Sequence, residues 1–89
     1  MNEIKRYLAY DLSNEIILAC CDYNLNYWQL CLELGISINN ARSIKNASYH
    51  NNARKFIKSN SIIYHDTKKL CEYLDIRMNM YESDEGEEW

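Results

Sequence analysis

The chain contains no proline, and its only glycines are Gly35 and Gly86. Short strands joined by tight turns draw on both residue types, because proline presets φ and glycine admits positive φ. A chain this poor in punctuation is expected to fold as helices joined by polar loops. With 89 residues, 47% of them hydrophobic, it has apolar material for one core and too little length for two. The expectation is an all-α domain over residues 1–80, a compact bundle of five to six short helices, followed at 81–89 by an acidic, flexible tail. No apolar run approaches the roughly 20 residues that cross a bilayer, and charged residues stand where a signal peptide has its apolar stretch. A cytoplasmic protein with no membrane partner is expected.

Apolar spacing divides the chain into elements. Ile4, Tyr7, Leu8 and Asp11 recur at helical spacing, predicting a helix over residues 2–12. Ser13 or Asn14 then reads as the N-cap of a second helix, 15–23, with Ile16, Ala19, Cys20 and Tyr23 on one face. A break at 22–24 follows. Asn26 caps a helix over 27–34 whose inner face is Leu30, Cys31 and Leu34, and Gly35 ends it in the left-handed region. Ile36 turns back into the core, and Ser37 caps a helix over 38–46. Ala41 and Ile44 face inward there, which leaves Asn39, Asn40, Arg42, Ser43 and Lys45 facing out. Residues 54–59 read as a turn or two of helix around Phe56 and Ile57. A last helix, from Tyr64 or Asp66 to about Ile76, turns Thr67, Leu70, Cys71 and Leu74 inward.

The net charge of -3 is unevenly placed. Residues 42–69 hold seven basic side chains against the single acid Asp66, a local charge of +6, between an N-terminal part at -3 and a C-terminal part at -6. A polyanion senses charge within a Debye length of roughly 8 Å, so the basic middle counts for more than the total. The acidic end, residues 82–89, is either a solubilising tail or an internal competitor for the basic surface.

Residues 25–46 carry the most specific pattern. Two helices that cross closely at a tight turn need a small residue in the first, a glycine in the turn and apolar locks in the second. Cys31, Gly35, Ile36, Ala41 and Ile44 supply them in that order. The stretch resembles the Cro/repressor-type helix-turn-helix family of phage and bacterial transcription regulators. Residues 25–31 (LNYWQLC) resemble the family's L-T-Q-x-x-L-A, residues 34–37 (LGIS) its L-G-I-S, and residues 42–46 (RSIKN) its S-x-I-E-N. Residues 68–76 (KKLCEYLDI) resemble its later helix, L-x-K-I-A-x-x-L-x-V. Ile38 stands where the family often has Gln, and Ala47 where it usually has Gly.

The resemblance implies a repressor of phage or mobile-element type that binds double-stranded DNA as a homodimer, with the second helix in the major groove. Asn39, Asn40, Arg42 and Ser43 would then reach base edges. Tyr27, Ser37, Lys45, Asn46, Arg54, Lys55 and Lys58 would hold phosphates.

The competing reading is a small interaction protein of the same fold, such as a phage-type inhibitor that binds a host protein. The acidic tail and the eight tyrosines favour it, since exposed tyrosine suits interfaces. Catalysis is not expected: His50 and His65 stand apart, and no nucleophile, base or phosphate-loop pattern surrounds them. Nor is a cofactor or metal, because Cys20, Cys21, Cys31 and Cys71 form no C-x-x-C pair and adjacent cysteines point about 100° apart on a helix. They read as small buried hydrophobes of a reducing compartment.

Overall fold

The computed structural model describes residues 4–49 and 56–83. It is mostly helical, with a small two-stranded sheet. In chain order the elements are strand β1 (Arg6–Leu8), helix α1 (Ala9–Asp22), α2 (Tyr27–Glu33), α3 (Ile38–Tyr49), strand β2 (Phe56–Lys58) and α4 (Ile62–Leu74). A single 3-10 turn, Met78–Tyr81, follows.

One apolar stripe builds α1. Ala9, Leu12, Ser13, Ile16 and Cys20 are all buried and fall on one face at helical spacing. Ser13 is therefore an interior residue and not a cap, and over 9–22 a single helix replaces the break expected between the helices at 2–12 and 15–23. The continuous stripe outweighs the local capping preference of Ser13 and Asn14, because tertiary burial contributes more to a helix than propensity does. The helix stops in a left-handed Asn24, φ 57°, where the Asn24 and Leu25 N–H groups reach back to the Cys21 and Cys20 carbonyls.

The sheet corrects the all-α expectation. β1 and β2 run antiparallel with Arg6 opposite Lys58, Tyr7 opposite Ile57 and Leu8 opposite Phe56. Tyr7 and Ile57 are buried while Arg6 and Lys58 face water, so the pattern over both segments is the two-residue alternation of a strand. Strand therefore replaces helix at 6–8 and 56–58 within the segments expected as helix at 2–12 and 54–59, of which residues 2–3 and 54–55 lie outside the described residues. Among the described residues there are four α-helices, fewer than the five to six expected.

On the other side of β1, Tyr7 bridges to Glu82 and the Ser83 N–H donates to the Arg6 carbonyl at 2.7 Å. The folded body thus extends through Ser83, past the boundary expected at 80. The remaining acidic residues, 84–89, lie outside the described residues.

α4 begins at Ile62, earlier than expected. The Ser61 hydroxyl accepts from the Tyr64 N–H at 3.1 Å and donates to the Lys58 carbonyl at 2.6 Å, tying the helix start to the end of β2. Its inner face is Thr67, Leu70, Cys71 and Leu74, as the spacing predicts, with Asp66 added. α3 lies at the centre of the molecule, in contact with α1, α2 and α4, and its contact with α1 is the most extensive between any two helices. Leu12, Ile16, Ile44 and Leu70 fill the core between them.

Candidate nucleic-acid interface

The α2–turn–α3 unit is held by backbone geometry that its sequence specifies. The Asn26 side chain accepts from the Gln29 N–H at 3.0 Å and opens α2. At the other end Gly35 takes φ +75°, its N–H donates to the Leu32 carbonyl at 3.1 Å, and the Ile36 N–H donates to the Cys31 carbonyl at 2.9 Å. This crossed pair of bonds satisfies two of the last carbonyls of α2 and turns the chain sharply. Ile36 is buried, and the Ser37 hydroxyl accepts from the Asn40 N–H at 3.2 Å to start α3. Cys31, Ala41 and Ile44 are buried as the motif requires. α3 continues to Tyr49, beyond the expected end at 46, because Ala47 offers no left-handed stop.

Tyr27 is not available to a phosphate. It is buried, and its hydroxyl donates to the Ala41 carbonyl at 2.6 Å, joining α2 to α3. Burial holds the phenol well above its ordinary titration range, with the neighbouring Cys31 thiol adding to the shift. Tyr27→Phe is expected to destabilise the fold by about 0.5–1.5 kcal/mol, the net worth of one hydrogen bond. Chemical denaturation measures that loss. A phosphate ligand would behave oppositely, leaving stability intact and lowering the salt dependence of binding.

The outward side of α3 is a polar ridge. Asn39, Arg42, Ser43 and Asn46 are exposed and recur at i, i+3, i+4 and i+7, so they share one side of the helix. Asn40 departs from this set. It is half-buried, and its side-chain N–H donates to Asp66 Oδ2 at 2.7 Å. Asp66 is only 7% exposed, and a buried carboxylate needs donors. Asn40 donates to it, and the Lys69 ammonium, 3.8 Å from the other carboxylate oxygen, supplies a countercharge. The expected base-reading role of Asn40 is thus replaced by a strut between α3 and α4.

Of the expected phosphate contacts, Ser37 sits at the exposed start of α3 with its hydroxyl oxygen in the cap. Asn46 is on the ridge. Lys45 is half-buried, with its ammonium 5.0 Å from the Trp28 ring centroid, a cation–π contact across α2 and α3. Lys58 is exposed at the end of β2. Arg54 and Lys55 lie outside the described residues. α3 carries Arg42 and Lys45 and no acid, whereas α1 carries Asp11, Glu15 and Asp22 and no base. These two helices therefore differ in sign, whereas α4 carries both, Asp66 and Glu72 beside Lys68 and Lys69.

An apolar flank beside the ridge was not expected from the sequence. Trp28, Leu32 and Ile38 are 39%, 70% and 64% exposed and border a groove of about 420 Å³ floored by Cys31, Ile36 and Ala41. The available signal was the i, i+4 pair Trp28 and Leu32, which falls off the inner stripe of α2.

Three of the cysteines, Cys20, Cys31 and Cys71, are buried and Cys21 is exposed, and all four are free thiols. Burial, with Glu72 adding, pushes the Cys71 thiol up to about 12, which keeps it protonated and unreactive at neutral pH. Among the described residues, no group of three or more His, Cys, Asp or Glu side chains is placed to hold a metal ion, and no helix is long and apolar enough to cross a membrane.

Comparison of the chain with protein-family models, with curated proteins and with solved structures found no match.

Proposed function

We propose that this chain is a sequence-specific double-stranded DNA-binding protein, a transcriptional regulator of the Cro/repressor helix-turn-helix type, cytoplasmic, acting as a repressor and binding as a dimer. The observation that carries the reading is the exposed ridge Asn39, Arg42, Ser43 and Asn46 on a helix that bears two cations and no acid. A major groove about 12 Å wide admits one α-helix and presents donors and acceptors that such side chains match. Arg42 pairs with guanine through its two-pronged guanidinium, and Asn39 with adenine through its amide. Ser43 bonds to either kind of edge. Ser37, Lys45, Asn46, Arg54, Lys55 and Lys58 set the register on the phosphates.

Salt dependence tests the reading. Each phosphate neutralised adds about -0.9 to the slope of log affinity against log salt, so the four or five cations predict a slope of roughly -4 per protomer. The measurement is fluorescence anisotropy on duplexes selected from a random pool, titrated between about 50 and 200 mM salt. If no selected duplex binds with a salt-dependent affinity, the reading fails.

The apolar groove between Trp28, Leu32 and Ile38 favours a second reading, a small inhibitor that docks on a host protein, because exposed apolar patches mark protein contacts. Binding to a purified protein partner that survives Arg42→Ala and is lost in Leu32→Glu would support that alternative.

A further inference from the structure

Resting on the DNA-binding reading, we infer that Ile38 is a specificity-determining residue that contacts the 5-methyl group of a thymine in the major groove. Ile38 is the first residue of α3 and remains 64% exposed. The first residues of a helix that enters the major groove are those that meet base edges. A side chain with no donor or acceptor gains nothing from the polar atoms there. The major groove offers one apolar group, the thymine methyl, and burying it against an aliphatic side chain is favourable.

The neighbouring side chains make the same choice of base pair. Asn39 is exposed beside Ile38 and matches adenine, the partner of thymine, whereas Asn40 is withdrawn by its bond to Asp66. The leading end of α3 is therefore matched to A·T pairs, and Arg42, one turn further on, to a guanine. Ile36 and Ala41, which line the same groove as Ile38, are buried, so the start of α3 that carries the isoleucine is seated on the core.

The test replaces each thymine of a selected duplex in turn by deoxyuridine, which removes the methyl and leaves pairing intact. One position per half-site should lose affinity about four-fold, the value of one buried methyl-sized group. Ile38→Ala should lose a similar factor on the thymine duplex and become insensitive to deoxyuridine at that position. Arg42→Ala should keep the methyl sensitivity. Thermal denaturation of Ile38→Ala checks that the exposed substitution leaves the fold unchanged. Affinity that ignores every methyl, or an Ile38→Ala loss equal on both duplexes, overturns this inference while leaving DNA binding standing. Failure of the unaltered protein to bind any duplex overturns both.

Discussion

Ile44→Ala is expected to lower the stability of the fold by about 2–5 kcal/mol. Ile44 is 2% exposed on the inner face of α3, among the largest fully buried side chains. Truncation removes its transfer free energy and leaves a cavity that the surrounding helices fill only in part. Against a total stability of about 5–15 kcal/mol for a small domain, the loss is a large fraction, and at about 4–8 °C per kcal/mol the melting temperature should fall by at least about 8 °C. Ile44→Val should lose about 0.5–1.5 kcal/mol. The exposed neighbour Ser43, changed to Ala, should stay within about 0.5 kcal/mol. A loss below about 1 kcal/mol for Ile44→Ala would mean that α3 is not seated on the core through this residue.

Arg42→Ala is expected to weaken binding to the selected duplex by roughly 10- to 100-fold, the discrimination supplied by one two-pronged arginine–guanine pair. Random duplex should lose only a few-fold, because one cation's share of phosphate attraction is small. The side chain is exposed, so stability should be untouched. Arg42→Lys keeps the charge and loses the planar fork, so it should restore binding to random duplex and not to the selected one. Equal losses on both duplexes would assign Arg42 to a phosphate.

How much of this was legible in the sequence depends on the range of the forces involved. The α2–turn–α3 unit was readable because each of its devices is local: the Asn26 and Ser37 caps, the left-handed Gly35 and the inward Cys31, Ala41 and Ile44 act within a few residues of one another. The inner face of α4 was readable for the same reason. The sheet was not, because β1 and β2 are three residues each and meet across most of the chain, with no glycine or proline to announce them. Ser13 has the chemistry of a cap and lies inside a helix only because the stripe from Ala9 to Cys20 continues past it. Within the site, helical spacing placed Arg42 and Ser43 correctly on the surface. It could not show that Tyr27 bonds to Ala41 or that Asn40 bonds to Asp66, since those partners come from other helices.

The most direct measurement is a titration of isotopically labelled protein with a selected duplex, read residue by residue from backbone amide shifts. The ridge predicts the largest changes between Ser37 and Asn46, with the outer face of α1 at Asp11, Asn14 and Leu18 unmoved. Amides of α3 that stay fixed at saturating duplex, while changes gather around the exposed hydrophobic side chains Tyr23, Tyr73 and Met80 on other elements, would contradict it.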